Sequence, residues 1–586
     1  MTSSVHTQTV FTPQTTLHLC PQPRLLHPLQ EQPCPVPQSH SHTSAPYPPR
    51  ICVIMTSPSA ASSTHAVEIV HSPATSTLPR EPQQQLVTEF ASLSRTLRAG
   101  YAAPRGHNGV LQTVASSLRH KHRAFLAQPN NTFFLEFADG GNTQIQVSVG
   151  DDAPADVPTY IGVHGMAGNL NAPYLHETLS PLIKENRGRA VVFNLRGCGD
   201  SAATSPAFHH GGSTSDLGAV VTWATTKWPN SKIYVIGTSL GGVITAKTLG
   251  QWGDECPIAA AALVSPVYGF RASSQAMETN LVSRTVFNPA VGAFYAKLVK
   301  KNKDAFDIDH WIHTRPDPFP SATVSPSFPL SSPPSIDPEA PKESRPLAQD
   351  SRSKSFATSS TSSASVFSTL PSPSTPGTSV PPTPLPRSSF DLSSPQPAPP
   401  LFTEHTPKIK EALSKSLKEV TSRILPQPLT KFCKSFVAST AHYLSGDDFM
   451  AETSAVNDLP NIRVPCLAVN CADDPLMPGK DLPRSQARQS PFVIMAVLKQ
   501  GGHLGTFTTK KWKKLHGKKR YHTAVVEEWF KANEALPQIR PRPQIVNAHQ
   551  GFVYPQGRPE MAFREVSQMY LKLKFTRPTY PKFKTT

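Results

Sequence analysis

The chain has 586 residues, of which 62 are proline and only 38% are apolar. This proline content is roughly twice the usual one, and with so low an apolar fraction it excludes a packed core over the whole length. The net charge of +17 favours acidic partners or surfaces but does not by itself indicate a nucleic acid, and we expect none as a partner. The eight cysteines lack close pairing and C-x-x-C spacing, which is typical of reduced thiols in an intracellular protein.

The N-terminal region, residues 1–84, is rich in Ser, Thr, Pro, Gln and His and has no lasting periodicity, so we predict that it is disordered. No acidic residue precedes Glu31, as in organellar transit peptides, but Pro13 and Pro21 would interrupt the amphipathic helix of such a peptide. A disordered tail is the preferred interpretation. No stretch approaches the ~18 apolar residues of a membrane span. We therefore expect an intracellular protein that is cytoplasmic or peripherally bound to a membrane.

The first folded block is predicted over residues 85–315, where short apolar runs alternate with amphipathic ones. Strands are predicted at 133–137, 144–149, 159–163, 190–193, 232–236 and 261–264. Helices are predicted at 84–97, 174–184, 216–227 and 243–249. The first two strands flank Asp139-Gly140-Gly141, which predicts a hairpin. The later strands are apolar throughout and alternate with helices, which indicates a parallel sheet covered on both faces.

A second block, residues 405–536, continues the same pattern after an interruption. Residues 269–312 look helical and amphipathic, whereas residues 316–404 are dense in Ser, Pro and Thr and cannot bury enough apolar surface to fold. We predict a disordered insertion there, which is tolerable because the entropy of loop closure grows only logarithmically with length. Beyond it, helical structure is predicted at 405–450, strands at 466–469 and 492–497, a closing helix at 523–532, and a basic, Pro-rich tail at 537–586.

One turn carries the strongest chemical signal. Residues 237–241 (GTSLG) lie between a predicted strand and a predicted helix, which is the context of a G-x-S-x-G nucleophile turn. Gly237 and Gly241 lack a Cβ, so strand and helix can approach closely around a strained Ser239. The N-terminus of the following helix offers free N–H groups where an oxyanion would form. Ser239 is therefore the candidate nucleophile.

A second glycine-rich turn, residues 164–168 (HGMAG), follows the strand at 159–163. An H-G-x-x-G sequence in this position is where hydrolases with a G-x-S-x-G turn place another oxyanion donor. We assign the two donors to the main-chain N–H groups of Met166 and Leu240. The residues that would support the turn are His164, Gly165 and Gly168. An ordinary glycine turn is the alternative, and the neighbouring nucleophile motif argues against it.

The remaining catalytic groups are predicted at the ends of the last two strands. Asp474 follows the strand at 466–469, and His503 lies between glycines after the next strand. The chain order Ser, Asp, His is one of the known orders of a catalytic triad. His503 would accept the proton of Ser239, and Asp474 would orient the imidazole. Asp473 is a competitor for the acid, and we prefer Asp474 because its side chain would lead the following Asp-Pro turn.

These motifs resemble those of the α/β hydrolases. The similarity is to the subfamily of bacterial YheT-type hydrolases, plant embryogenesis-associated proteins, yeast medium-chain fatty-acid ethyl ester synthase/esterases and animal membrane-anchored lipid hydrolases. The matching pieces are 108–113, 164–168, 194–199, 210–211, 216–217, 237–242, Asp474 and His503. The run at 194–199 (NLRGCG) is the most diagnostic of them. The resemblance implies an α/β-hydrolase fold with a mostly parallel sheet, a helical lid and the foreign insertion at 316–404.

The resemblance implies hydrolysis of medium-chain or lipid acyl esters through an acyl-enzyme, with no metal and no organic cofactor. Acyl transfer to an alcohol is the alternative within the same chemistry, and a non-catalytic scaffold with this fold is the alternative from another class. The chain departs from the family pattern at Val110, where a His is expected, and at residues 169–173. Those residues follow the oxyanion turn and therefore bear on substrate choice.

Two further features have a structural and a functional interpretation. Cys198 follows a strand, but no His accompanies it in its motif, so we interpret it as structural. Lysines and an arginine crowd residues 510–520, a few positions after His503. A solvated face is the ordinary interpretation of such a run, and attraction to anionic lipid headgroups is the functional one.

Overall fold

Twelve strands form one sheet in the part of the chain that the structure describes. The structure is a computed structural model, and it describes residues 65–72, 81–117, 131–148, 154–319, 406–423, 427–510, 513–514, 519–537 and 540–575. The predicted insertion lies outside these residues from position 320 onward, as does most of the predicted N-terminal region. Within the described ranges, no helix combines the length and the apolar character that crossing a membrane requires.

The eight predicted strands are all present, with bounds that differ by a few residues, and four further strands were not predicted. The twelve strands are β1 Glu68–His71, β2 Thr132–Phe137, β3 Asn142–Val147, β4 Thr159–Val163, β5 Arg189–Phe193, β6 Ile233–Thr238, β7 Ile258–Val264, β8 Cys466–Cys471, β9 Val493–Leu498, β10 Ile545–Asn547, β11 Val553–Pro555 and β12 Phe563–Val566. The four that were not predicted are β1 and β10 to β12. Their order across the sheet is β1-β9-β8-β7-β6-β4-β5-β3-β2-β12-β11-β10. The six central strands, from β9 to β5, run parallel, and their side chains are buried on both faces.

Helices cover both faces of this sheet. They are α1 Pro82–Leu93, α2 Arg95–Ala99, α3 Gly109–Ser117, α4 Pro173–Ile183, α5 Thr214–Lys227, α6 Leu240–Trp252, α7 Phe270–Thr279, α8 Asn288–Lys301, α9 Ile308–Thr314, α10 Thr406–Ser422, α11 Leu429–Phe432, α12 Ala438–Thr440, α13 Gly446–Glu452, α14 Arg484–Gln489, α15 Tyr521–Glu534 and α16 Gln568–Phe575. The predicted helix at 84–97 is divided at Ser94, whose side chain caps α2. Two apolar cores result, one on each face of the sheet. This architecture is the predicted α/β-hydrolase fold.

The two helical segments on either side of the insertion pack against each other. Helix α8 contacts α10 and α11, and Tyr295 of α8 stacks on Phe432 of α11 with ring centroids 5.4 Å apart. Phe432 in turn stacks on Phe436. These aromatic contacts join the two segments into one helical layer, which is the candidate for the helical lid that the resemblance implies.

Both ends of the sheet extend beyond the predicted elements. Strand β1 lies within the region predicted to be disordered, and that prediction is wrong for residues 65–72. It pairs antiparallel with β9, buries Val70 and is tied by an ion pair from Glu68 to Arg484 at 2.8 Å. So short a strand is stabilised by its partner rather than by its own composition, which is why its sequence gives no signal.

At the other edge, the segment described above as a basic tail contributes three strands. Strand β12 pairs antiparallel with β2, and Phe563 is buried in that pairing. Arg564 forms a salt bridge with the fully buried Glu136 at 2.7 Å, and Trp223 donates a hydrogen bond to Glu565 at 2.9 Å. The antiparallel edge is therefore held by polar contacts to residues more than 300 positions earlier.

Candidate active site

The candidate nucleophile lies in the turn between β6 and α6. Ser239 has a φ of 54°, a strained conformation for a residue other than glycine. Its N–H donates to the carbonyl of Val264 at 2.9 Å, which ties the turn to the neighbouring strand β7. A Cβ on Gly241 would lie 2.3 Å from the carbonyl oxygen of Val163, and one on Gly237 would lie 2.5 Å from that of Gly241. Only glycine fits at these two positions, as the sequence motif predicted.

The structure brings Ser239, His503 and Asp474 together. Nε2 of His503 lies 2.8 Å from Oγ of Ser239, and Nδ1 lies 2.7 Å from Oδ2 of Asp474. All three side chains are buried. Because a carboxylate only accepts, Nδ1 carries the imidazole proton and Nε2 is left to accept the hydroxyl proton of Ser239. This is the protonation state that a general base needs.

The two neighbouring aspartates have different partners. The other carboxylate oxygen of Asp474, Oδ1, accepts hydrogen bonds from the N–H groups of Leu476 at 2.8 Å and Met477 at 3.2 Å. Both oxygens of the carboxylate are therefore hydrogen bonded. Asp473 instead accepts from the N–H of Gly502 at 2.9 Å. Burial raises the pKa of Asp473, and the charge of Asp474 adds to the effect. The geometry therefore favours Asp474 as the partner of His503, in line with the preference from sequence.

The proposed oxyanion donors lie on either side of Ser239. A Cβ on Gly165 would be 2.9 Å from the Cβ of Ser239, so the second glycine-rich turn lies directly against the nucleophile. Leu240 is the first residue of α6, and Met166 is in the turn after β4; both line the same cavity as Ser239. Within the described ranges, neither main-chain N–H donates a hydrogen bond to another part of the chain. Both N–H groups are thus available to a substrate oxygen.

His164 holds the second turn rather than taking part in proton transfer. Its Nε2 accepts the N–H of Leu195 at 3.0 Å, so Nδ1 carries the proton and donates to the carbonyl of Gly165 at 2.8 Å. Burial lowers the pKa of His164 to about 4, although the Gly165 carbonyl opposes this. The N–H of Gly165 donates to the hydroxyl of Tyr174 at 2.9 Å, and the turn closes with Gly168 donating to Gly165 at 3.0 Å. Tyr174 is a support that the motif does not reveal.

The diagnostic run at 194–199 contributes a buried ionic network. Arg196 binds both oxygens of Asp216 at 2.7 Å and also contacts Asp139 in the hairpin turn. Burial works to raise the pKa of Asp139, but the charge of Arg196 and the attached hydrogen bonds hold it below its usual value. Burial also raises the pKa of Asp216, which Arg196 only partly offsets. The network joins the hairpin, the loop and α5 behind the oxyanion turn.

Cys198 lies beside a histidine in space, although not in its motif. Its Sγ is 3.8 Å from Nε2 of His209. The ring of His209 is already engaged, because Nδ1 donates to the carbonyl of Arg196 at 2.9 Å and Nε2 lies 3.0 Å from the hydroxyl of Tyr295. Burial raises the pKa of Cys198 to about 12 and lowers that of His209 to about 3. A neutral thiol next to a neutral imidazole is a structural pair, as predicted for Cys198.

A large cavity opens above Ser239. Its volume is about 900 Å³, and its wall includes Ser239, His503, Met166 and Leu240. The remaining wall is largely apolar and comes from the helical layer, including Val267, Met277, Phe287, Val291, Phe294 and Leu429. Among the described residues, no group of three or more His, Cys, Asp or Glu side chains is arranged as metal ligands would be. The arrangement offers a nucleophile, a base and oxyanion donors at the wall of an apolar chamber.

Comparisons with known proteins agree with the fold. The model of the alpha/beta hydrolase fold family matches residues 161–301. A monoacylglycerol lipase of Saccharomyces cerevisiae is 22% identical over 357 residues, which are 61% of this chain and 56% of the relative. The medium-chain fatty acid ethyl ester synthase/esterase 2 of the same yeast is 22% identical over 349 residues, or 60% and 58% of the two chains. The phospholipase ABHD3 of Mus musculus is 20% identical over 376 residues, or 63% and 65%.

These matches confirm the resemblance to α/β hydrolases that the motifs indicated. The chain spans between 56% and 65% of the length of the three relatives. Their names refer to lipids or medium-chain acyl groups in every case.

Proposed function

We propose that this chain, which has the α/β-hydrolase fold, is a serine hydrolase of carboxylic esters with medium-chain or lipid acyl groups. One observation carries the proposal: the hydrogen-bonded series Ser239–His503–Asp474, with distances of 2.8 and 2.7 Å, at the wall of an apolar cavity. A scaffold protein with the same fold has no need of that series.

Acylation begins with Ser239. Its Oγ attacks the ester carbonyl carbon while Nε2 of His503 accepts the hydroxyl proton, and the resulting imidazolium is stabilised by Asp474. The carbonyl oxygen becomes an oxyanion that receives hydrogen bonds from the N–H groups of Met166 and Leu240. Such preorganised donors contribute about 3–4 kcal/mol each in comparable sites. The intermediate collapses when the C–O bond breaks and His503 returns the proton to the departing alcohol.

Deacylation repeats these steps with a second nucleophile. Water gives up a proton to His503 and attacks the acyl carbon, and the acid leaves as Ser239 recovers its proton. An alcohol in place of water would give a new ester by the same steps. One relative bears both activities in its name, as an ethyl ester synthase/esterase, and this observation keeps acyl transfer as the second candidate. The two activities differ only in the acceptor.

The cavity supports the choice of acyl group. An apolar chamber of about 900 Å³ lies at the upper end of the range of small-molecule sites and can bury a long acyl chain. Each buried methylene contributes about 0.8 kcal/mol, so longer chains should bind more tightly until the chamber is full. The names of the lipase and phospholipase relatives agree with this substrate class.

Peripheral contact with an anionic membrane is a further part of the proposal. Lys510, Lys513 and Lys514 are exposed on the chain that leaves the His503 loop. The basic run is smaller than its sequence suggests, because Lys519 pairs with Glu527 and Arg520 is buried. The interpretation of the whole run as a solvated face is therefore wrong for Arg520. The exposed lysines remain as the candidate contact.

The test combines active-site labelling with product analysis. One sample of the full chain is treated with a fluorophosphonate probe, and the activity of a separate, untreated sample is measured on p-nitrophenyl esters of increasing acyl length, with and without ethanol. We expect labelling, and hydrolysis that increases from short to medium chains. Formation of ethyl esters would favour the acyltransferase. A chain that is neither labelled nor active on any ester would contradict the proposed function and favour the scaffold.

A further inference from the structure

The loop that carries His503 has an unusual backbone. Gly501 and Gly502 have positive φ values of 141° and 60°, and Leu504 and Thr506, which carry side chains, have values of 60° and 42°. Conformations of this kind are strained in residues other than glycine and persist only where the surroundings enforce them. The position of the His503 ring therefore depends on groups outside the loop.

Helix α3 supplies those groups at three points along the loop. Oγ1 of Thr113 accepts the N–H of His503 itself at 2.8 Å. One turn later, Oγ of Ser116 donates to the carbonyl of Leu504 at 2.9 Å. Oε1 of Gln112 accepts the N–H of Phe507 at 2.9 Å. Helix α3 is nearly 400 residues away in sequence, yet it binds the main chain of the loop at His503 and at two positions after it.

The contacts of the main chain leave little room for adjustment. A Cβ on Gly502 would lie 2.0 Å from the carbonyl oxygen of Gly109, and a Cβ on Gly109 would lie 2.0 Å from that of Asp473. Asp473 accepts the N–H of Gly502 at 2.9 Å from the opposite side. The start of α3 therefore packs between the chain at Asp473 and the loop that carries His503. This accounts for the motif at 108–113, to which the proposed mechanism assigns no chemical step.

A second anchor comes from the basic run. Arg520 is buried, and its guanidinium donates to Oγ of Ser116 at 2.8 Å and to the carbonyl of Leu504. It also lies 2.9 Å from Glu177 of α4 and 4.7 Å from the ring centre of Phe507. These contacts fix Ser116 against the loop. Arg520 is therefore part of the support of α3 and not of the surface.

We propose that Thr113 is a positioning residue for His503, and that α3 acts as the clamp that sets the alignment of the base with Ser239. The inference rests on the proposed function, because alignment matters only if His503 moves a proton. Thr113 Oγ1 also donates to the carbonyl of Gly109 at 2.7 Å, so its rotamer is fixed and its lone pair points at the His503 N–H. A hydroxyl in this place has a defined orientation that valine cannot supply.

The consequence is a loss in the chemical step and not in binding. A displacement of a catalytic group by about 1 Å can cost on the order of 100-fold in rate. Substrate binds in the apolar cavity, whose shape valine preserves because it is isosteric with threonine. We therefore expect Thr113→Val to reduce kcat by about 10- to 100-fold and to change KM by less than about threefold.

The experiment compares four proteins by ester hydrolysis, fluorophosphonate labelling rate and thermal unfolding. Thr113→Val should slow hydrolysis and labelling by the same factor, and Thr113→Ser, which keeps the hydroxyl, should recover both to within about threefold. The matched control is Thr222→Val, a buried threonine of α5 whose hydroxyl makes the same kind of intrahelical bond, to Gly218 at 2.8 Å, but within the described residues makes no hydrogen bond to a loop. It should lose stability without losing kcat.

Three results would overturn the inference: an unchanged kcat in Thr113→Val, a loss that Thr113→Ser does not recover, or an equal loss in Thr222→Val. If Thr113→Val yields no folded protein, Thr113→Ala takes its place and must show the same split between kcat and KM. Labelling of the wild-type protein distinguishes a failure of this inference from a failure of the proposed function. Labelling of the wild type with an unaltered rate in Thr113→Val refutes the clamp alone, whereas an unlabelled wild type refutes the hydrolase.

Discussion

The nucleophile turn and the histidine loop are two halves of one candidate site, and they are built in opposite ways. The turn around Ser239 is shaped by its own glycines, which pack main chain on main chain: Gly237 against Gly241 within the turn, and Gly241 against Val163 at the end of the neighbouring strand. The loop around His503 takes its shape from Thr113 and Gln112, about 390 residues earlier in the chain. An active site can therefore combine one part whose geometry is enforced by main-chain packing with another whose geometry is imposed by side chains that are distant in sequence.

The difference has a practical consequence for mutation. At the nucleophile turn, the space is set by backbone atoms, so only the reacting side chain can be changed without disturbing the fold. At the histidine loop, single side chains hold the main chain through hydrogen bonds. Changes there should therefore alter alignment while leaving the fold in place. The predictions below test each half in turn.

The largest effect is expected at the nucleophile turn. Ser239→Ala removes the attacking oxygen, and we expect kcat to fall by on the order of 10⁴ or more and fluorophosphonate labelling to disappear. The fold should persist, because the glycines that form the turn are unchanged, and the thermal unfolding midpoint reports this. Ser273→Ala, at another serine of the cavity wall, is the control and should keep its labelling. Undiminished labelling of Ser239→Ala would exclude Ser239 as the nucleophile.

The same comparison explains what the sequence could predict. The parallel strands, the turns at 237–241 and 164–168 and the positions of Asp474 and His503 depend on local patterns, and each is found where it was expected. The clamp from Thr113 on His503 and the contact of the buried Arg520 with Ser116 depend on pairs of residues about 400 positions apart in the chain. No window of sequence contains both partners of such a pair. The motif at 108–113 was visible, but its contacts were not.

The edges of the sheet were missed for a related reason. Strand β1 has four residues and β10 and β11 have three each, which is too short for periodicity to distinguish them from loops. Their stability comes from pairing with strands that lie next to them only after folding. The preference for Asp474 over Asp473 rested on the Asp-Pro turn that follows it, whereas the contact of its carboxylate with Nδ1 of His503 was not visible in the sequence.

The next largest effect distinguishes the two aspartates of the histidine side. Asp474→Asn replaces the acceptor of the His503 Nδ1–H and should reduce kcat by on the order of 10³–10⁴, as the loss of the carboxylate does in comparable triads. Asp473→Asn should cost at least tenfold less, because the amide oxygen can still accept the N–H of Gly502. Steady-state kinetics of the two variants is the measurement. A greater loss in Asp473→Asn would reverse the assignment of the acid.

A smaller effect is expected on the free energy of unfolding at low pH, through His164 in the turn that lies against Ser239. Burial lowers the pKa of His164 to about 4, whereas an unfolded histidine titrates near 6.5. The unfolded state therefore binds more protons between these values, and the stability contributed by neutral His164 is present above pH 6.5 and is lost as the pH falls toward 4. The expected loss for this residue is about 2 kcal/mol at pH 5.

Urea unfolding at pH 7 and pH 5 measures this loss. His164→Gln cannot titrate, and its amide oxygen can replace Nε2 as the acceptor of the Leu195 N–H. We expect the variant to lose less stability than the wild type between the two pH values. Since other groups also titrate in this range, the difference between the two proteins is the relevant quantity. Equal losses would mean that His164 is not kept neutral by the fold.

The smallest expected effect lies where the histidine side reaches the surface. The nucleophile turn is enclosed, whereas the chain leaving the His503 loop carries the exposed residues Lys510, Lys513 and Lys514. A basic residue near an anionic membrane contributes about 1 kcal/mol, and the attraction is screened within a Debye length of about 10 Å at 0.1 M salt. We expect the protein to co-sediment with phosphatidylserine vesicles at low salt, but not with neutral vesicles and not at ~0.5 M salt.

Changing Lys510, Lys511, Lys513 and Lys514 to glutamine should weaken binding at least tenfold. The control changes four lysines of α10, at positions 408, 410, 415 and 418, to glutamine; it removes equal charge and should weaken binding less. Equal binding to both kinds of vesicle, or full binding after the first set of changes, would mean that these lysines are an ordinary solvated face.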